Sequence, residues 1–153
     1  MKRIDLNLIK IHELQISNIN DILDIEQELN IHILSKENIL KDLKNQHFKY
    51  FIAKYEDVVI GYTSISYIED IEIESIVVKK DFQRLGIGNL LLNHIFCFAK
   101  LNNIQNIFLE VRSSNTPAIN LYLKKGFKRI NIRKNYYTDT NEDAIILKKE
   151  LVL

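Results

Sequence analysis

The chain has 153 residues, of which 46% are apolar and 27% charged, and its net charge is +1. That length predicts one domain over residues 1–153 with a sizeable core, and the balance is that of an ordinary globular protein. The near-neutral charge offers neither the basic footprint of a nucleic-acid binder nor attraction to an anionic membrane, and no apolar run approaches the roughly 20 residues of a spanning helix. Asp5 and Asn7 interrupt the start, so no signal peptide is expected and a cytoplasmic location is. The single cysteine, Cys97, excludes an internal disulfide, and its apolar helical surroundings predict a buried thiol. His12, His32, His47 and His94 show no metal-ligand spacing, so no metal is expected.

Residues 3–12 alternate loosely through Ile4, Leu6 and Leu8 and predict a first strand. Ser17 is placed to cap a helix over 18–30 that gathers Ile19, Ile22, Leu23 and Leu29 on one side. A second helix is predicted from Ser35, with Ile39, Leu40 and Leu43 inward. The link Asn30–Leu34 is too apolar for a solvated loop, which predicts that it touches something. Phe48–Lys54 and Val58–Ile68 predict a hairpin turning at Glu56-Asp57. The run Ile71 to Val78 alternates, then becomes continuously apolar, as a strand at the centre of a sheet does.

A loop carrying Gln83, Arg84, Leu85, Gly86, Ile87, Gly88 and Asn89 then leads into a helix reaching about Asn102, and Ile107–Val111 follows as a buried strand. Strand, helix and strand of this length form a right-handed crossover between parallel strands, which puts the loop at a strand's carboxyl end, where open sheets bind ligands. A helix start attracts phosphate through free N–H groups and its dipole, the glycines admit close approach, and Arg84 adds a permanent cation. A plain turn explains the same glycines, and Gly-x-Gly alone does not decide between the two. Gly88-Asn89-Leu90 lacks the Lys-Ser/Thr of a P-loop, and Leu91 stands where the dinucleotide fingerprint needs a third glycine. Thr116-Pro117 starts a further helix that stops at Gly126. Phe127–Tyr136 and Ala144–Leu151 complete an α+β domain of about seven strands and four helices.

Glu110 is a carboxylate inside an apolar strand, where a charge requires a partner or a purpose. Taken alone it is as well explained by an ion pair with Arg112 or a bond to a backbone end. Tyr122 on the following helix is ordinarily a core residue with a satisfied hydroxyl, and Asn115 in its polar turn is ordinarily a cap.

Taken together, Gln83-x-x-Gly86-x-Gly88, the segment Glu110 to Tyr122 with Gly126-Phe127, and the run Arg133 to Tyr137 followed by Glu142-Asp143-Ala144 closely resemble the GNAT acetyltransferases. Within these they are similar to the N-terminal acetyltransferases of the bacterial ribosomal-protein alanine type, the RimI group, over about residues 58–148. The resemblance implies a GNAT fold whose mixed sheet splays between two parallel central strands to admit an acyl-CoA. It implies that Ile76, Val77 and Val78 offer main-chain groups to the pantetheine arm, that Arg84, Leu85, Gly86, Ile87, Gly88 and Asn89 cradle the pyrophosphate, and that Asn115 bonds the pantetheine. Glu110 would be the general base, direct or through water, and Tyr122 would protonate the departing thiolate. Tyr136 and Tyr137, with Ile31 and His32 of the link, would wall the groove for the acceptor's N-terminus.

The implied activity is acetyl transfer from acetyl-CoA to a protein N-terminus, a ribosomal protein beginning with Ala above all, without a metal. The sequence departs from the pattern in two places. Lys79 stands where the family often has Pro, and Asn30-Ile31-His32-Ile33-Leu34 replaces an aromatic and Pro-Trp. Two alternatives stay open: a GNAT enzyme acting on a lysine side chain or small amine, and a CoA-binding sensor without catalysis. Retention of both Glu110 and Tyr122 speaks against the sensor, because binding alone needs neither.

Overall fold

The computed structural model describes residues 3–153. Seven strands form one sheet: β1 (Lys10–Glu13), β2 (Phe48–Tyr55), β3 (Val58–Tyr67), β4 (Ile71–Val78), β5 (Asn106–Arg112), β6 (Lys128–Tyr137) and β7 (Glu142–Glu150). Their spatial order is β1-β2-β3-β4-β5-β7-β6. Every neighbouring pair is antiparallel except β4 and β5, which run parallel. Four helices complete it: α1 (Ile19–Glu28), α2 (Lys36–Leu43), α3 (Ile87–Leu101) and α4 (Thr116–Lys124).

Period-2 alternation sends successive β2 side chains to opposite faces. Tyr50 and Ile52 join Tyr62 and Val77 beneath α1 and α2. Phe51 joins Ile65, Ile73 and Leu109 beneath the opposite layer, with Leu92 and Ile95 of α3 and Ile119 of α4. The β2–β3 hairpin turns on Glu56 and Asp57, at φ of 49° and 65°, the pair of positive angles that a two-residue hairpin turn of matching twist requires.

A bulge explains the change of pattern inside β4. Ser64 pairs with Ser75 and Ile65 with Ile73, which leaves Glu74 as an extra residue. One extra residue exchanges the faces of everything after it. Ile71 and Ile73 point to the α3 side before the bulge, and Ile76 and Val78 return to that side after it, while Val77 packs toward α1.

Three expectations need correction. Only Lys10–Glu13 of the predicted strand over 3–12 is extended, because the Asp5 carboxylate accepts the Asn7 N–H and turns Leu6–Leu8 into a 3-10 helix. Ser17 does not cap α1; it lies inside a 3-10 turn, Ile16–Asn18, which leads straight into the helix from Asn18. Cys97 is exposed. α3 buries Leu91, Leu92, Ile95 and Ala99, and a position two after Ile95 is turned about 200° from it on a 3.6-residue period.

Candidate active site

The site begins where β4 and β5 part. Their register runs Ile71 with Ile107, Glu72 with Phe108 and Ile73 with Leu109, and then stops. Beyond that rung Glu110, Val111 and Arg112 pair only with β7, and Ser75 to Val78 pair only with β3. The edge of Ile76, Val77 and Val78 turned away from β3 therefore has no strand partner, and its main-chain groups require another. Gln83 donates one side-chain N–H to the Val78 carbonyl at 3.0 Å.

The loop above this opening is shaped for an anion. Arg84 and Gly86 have φ of 61° and 94° on either side of Leu85, an alternation that turns successive N–H groups to one side as an anion-binding nest. Gly86 then takes the N-cap position of α3, so the first N–H groups of α3, beginning at Ile87, Gly88 and Asn89, have no intrahelical carbonyl. Gly88 is not required by the fold, since a Cβ there would meet Leu121 Cδ2 at an ordinary 3.5 Å. A bare backbone at that point leaves room for something outside the chain. Arg84 is exposed and makes no ion pair among the described residues.

Asn115 caps α4, its Oδ1 accepting the Ala118 N–H at 3.4 Å, which leaves its Nδ2 group free to donate. Tyr122 packs edge to face on Phe127 at 5.6 Å, and burial pushes its phenol up to about 12. Among the described residues its hydroxyl makes no hydrogen bond, yet no buried side-chain polar atom there lacks a partner. The hydroxyl therefore reaches solvent, protonated and able to donate throughout the neutral range.

Glu110 is the first β5 residue past the last rung, and its side chain is 19% exposed. Its ion-pair partner is Arg133 of β6, at 3.4 Å, and not Arg112. Arg112 is held by Asp139 at 3.0 Å and stacks over Tyr137 at 4.1 Å. Tyr136 meets Glu110 as well, and the carboxylate's charge and hydrogen bond raise the Tyr136 phenol above its ordinary value. Tyr136 and Tyr137 touch edge to face at 5.2 Å. The structure thus gathers Glu110, Tyr136 and Tyr137.

Glu110 also lines a groove of about 870 Å³, together with Phe48, Glu72, Glu74, Phe108 and Arg133. Burial and the neighbouring charges of Glu74 and Glu110 hold the Glu72 carboxyl above the usual carboxylate range. Glu72, Glu74 and Arg133 were not foreseen as site residues. The signal for the first two lay in Ile71-Glu72-Ile73-Glu74, two carboxylates at alternate positions of a central strand.

The α1–α2 link touches something, as its composition predicts. Glu26 is 2% exposed. Its carboxylate accepts the N–H groups of Ile33 at 3.1 Å and Leu34 at 3.0 Å, and the Tyr62 hydroxyl at 3.3 Å. Within the link Ile31 packs on the core beneath α1 and α2, while His32 is exposed. Neither lines the groove, whose rim on the α2 side is made by Asn45 and His47. Among the described residues no set of three or more His, Cys, Asp or Glu is arranged to hold a metal, and no helix is long and apolar enough to cross a membrane.

The comparisons with known proteins bear on the family and the fold. An N-alpha-acetyltransferase of Sulfurisphaera tokodaii is 32% identical over 148 residues, covering 84% of this chain and 88% of the relative. The crystal structure of the ribosomal-protein alanine N-acetyltransferase of Escherichia coli superposes with a TM-score of 0.86 at 28% identity, over 95% of both chains. A GNAT family acetyltransferase from Elizabethkingia anophelis, crystallised with acetyl-CoA bound, superposes at 0.76 with 28% identity over 95% of this chain and 99% of its own. The acetyltransferase (GNAT) family model matches residues 17–127, a span that takes in both strands of the splay and the whole of α3. On that match the chain belongs to the GNAT acetyltransferase family.

Proposed function

We propose that this protein is an acetyl-CoA-dependent N-α-acetyltransferase acting on a protein N-terminus, with a ribosomal protein beginning with Ala as the first acceptor class to test. The observation that carries the proposal is Glu110 beside Tyr136, one residue past the last rung between β4 and β5. A thioester threaded through the splay would present its carbonyl beside that carboxylate. The names of the Sulfurisphaera and Escherichia relatives support the α-amine and the ribosomal acceptor, and the Elizabethkingia structure supports acetyl-CoA.

In this reading Arg84 and the N–H groups of Leu85 to Asn89 hold the pyrophosphate, with charge and dipole acting together. The free edge of Ile76, Val77 and Val78 extends a ladder to the pantetheine amides, and the Asn115 Nδ2 group bonds the same arm. Tyr136 and Tyr137 flank the acceptor beside Glu110, while Ile31 and His32, on the link that Glu26 pins, lie outside the groove lining. Glu110 takes a proton from the incoming ammonium, directly or through a water. The neutral nitrogen then forms a bond to the thioester carbonyl carbon as the carbon–sulfur bond breaks, and the acylated nitrogen gives up its second proton to water. Tyr122 donates its proton to the departing thiolate and recovers one from solvent.

The acceptor's own acidity favours an α-amine. An α-amino group titrates near 8 and a lysine near 10.4, so neutralising the lysine costs roughly 3 kcal/mol more at neutral pH. The α-amine therefore asks less of the Glu110 carboxylate than a lysine would.

The test is CoA release from acetyl-CoA with Ala-, Ser- and Met-starting peptides, their N-blocked forms carrying an internal lysine, and a polyamine. Turnover confined to free N-termini is expected. Turnover confined to lysine or polyamine would assign the second reading, an acetyltransferase for side-chain or small amines. Binding of acetyl-CoA without turnover on any acceptor would favour a sensor.

A further inference from the structure

Arg133 is the only lysine or arginine among the residues that line the groove beside Glu110, and four further carboxylates, Glu69, Asp70, Glu72 and Glu74, line it too. Its guanidinium Nε lies 3.4 Å from Glu110 Oε1, with the arginine side chain 54% exposed and the glutamate 19%. The cation therefore sits on the solvent side of the pair, and the carboxylate on the inner side. The guanidinium also lies 5.5 Å from the Tyr136 ring, the ring whose hydroxyl meets Glu110. Arg133 makes no other ion pair among the described residues. It stands on the sheet's edge strand, at the last regular rung before the ladder with β7 is interrupted. On its own strand its one ring contact among the described residues is with Tyr136.

We propose that Arg133 is a positioning residue that occupies Glu110 as its resident counter-ion until the acceptor's ammonium group displaces it. The proposal rests on the N-α-acetyltransferase reading given above. An acceptor amine arrives protonated at neutral pH, since its ordinary pKa is near 8, and it needs the same carboxylate. An acceptor entering from solvent meets Glu110 on the side where Arg133 already lies 3.4 Å from its Oε1, so the two cations compete for that side of the carboxylate. The arginine can leave readily, because its long stem lets the head group swing to water and a half-exposed pair is weak. It moves off toward the Tyr136 face while the ammonium takes its place. In the resting enzyme Arg133 keeps Glu110 paired beside Glu72 and Glu74, and it makes acceptor binding a competition.

The prediction separates displacement from support. Arg133→Met removes the competitor, so the KM for a free-amine peptide should fall about threefold to fivefold, the scale of a weak exposed ion pair, while the KM for acetyl-CoA stays put. Calorimetry in the presence of CoA should show tighter binding of the free-amine peptide and unchanged binding of its N-acetylated form. Arg133→Lys keeps the charge and should bring the acceptor KM back toward the wild-type value. An acceptor KM that rises in Arg133→Met would make Arg133 a binding or supporting residue and overturn the proposal. An unchanged acceptor KM would overturn it too. Absence of turnover and of peptide binding in the wild-type protein would instead remove the N-α-acetyltransferase reading, and this inference with it.

Discussion

Ile73 and Leu109 form the last rung between β4 and β5, and the next residue on each strand is a glutamate. Glu74 is the bulge that turns β4 away, and Glu110 is the carboxylate that faces the resulting groove. The opening and the candidate base are therefore set by the same rung.

Glu110→Gln keeps the shape of the side chain and removes its basicity. Turnover on a free N-terminus is expected to fall by about 10²–10⁴, the usual worth of a positioned general base. Equilibrium binding of acetyl-CoA should be nearly unchanged, because the proposed function puts Glu110 on the acceptor side. Thiol release and calorimetry on the same sample check both halves.

Tyr122→Phe removes a donor and little else, since the ring already packs on Phe127. A large loss of turnover with near-native affinity for CoA is expected. The raised phenol also has a stability signature. Its folded value of about 12 lies above the unfolded value of about 10, so the neutral form is favoured in the folded state. That contribution is complete below pH 10 and is lost as pH rises toward 12. Wild type should accordingly lose more stability than Tyr122→Phe over that interval in urea melts.

Gly88→Ala separates folding from ligand binding. The new Cβ would meet Leu121 at an ordinary distance, and alanine is the better helix former by about 1 kcal/mol. The melting temperature should hold or rise. The KM for acetyl-CoA should increase severalfold, because the methyl group enters the space the bare backbone leaves for a diphosphate. An unchanged KM would sink the assignment of this loop to the pyrophosphate.

Glu26→Ala strips partners from the N–H groups of Ile33 and Leu34 and from the Tyr62 hydroxyl. Losing bonds to a buried carboxylate costs about 3 kcal/mol, which for a domain of this size is a drop of roughly 10 °C in Tm. The α1–α2 link loses its anchor, so the acceptor KM should rise more than the acetyl-CoA KM.

Acid should loosen the β6–β7 turn first. Arg112 holds the Asp139 carboxyl below the usual range, and hydrogen bonds from Ser114, Thr140 and Arg112 do the same for Glu142. A depressed folded value means stability that is present above the ordinary carboxylate range near 4 and is lost as pH falls below it. Arg112→Ala should flatten the dependence of Tm on pH below about 4, since the hydrogen bonds and charge it gives Asp139 and Glu142 would be gone.

Local chemistry made much of this legible from the sequence. Ser35 caps α2 by accepting the Asn38 N–H, Asn115 caps α4, and Gly126 ends it at φ 91°. Each of these follows from a residue's own geometry within a few positions, and so does the Glu56-Asp57 turn. The parallel crossover followed from element lengths alone. Where the sequence misled, a neighbour outvoted the pattern. The strand over 3–12 lost its first seven residues, the Asp5 turn among them, and Cys97 sat in an apolar run but on its outward face.

The partners of the charged residues were decided only in three dimensions. Arg112 is two residues from Glu110, which puts both on one face of β5, yet Glu110 pairs with Arg133 on another strand and Arg112 with Asp139. Sequence spacing fixes which face a side chain takes. It does not fix which strand lies beside it, because sheet order brings β7 between β5 and β6 and sets every register across them. The acidic groove of Glu72, Glu74 and Glu110 arises in the same way, from two strands that meet for three rungs and then part. The sequence by itself determined the elements, their caps and the Gly-x-Gly helix start. The tertiary structure decided the splay, the groove and the counter-ion, because these depend on contacts between residues far apart in the chain.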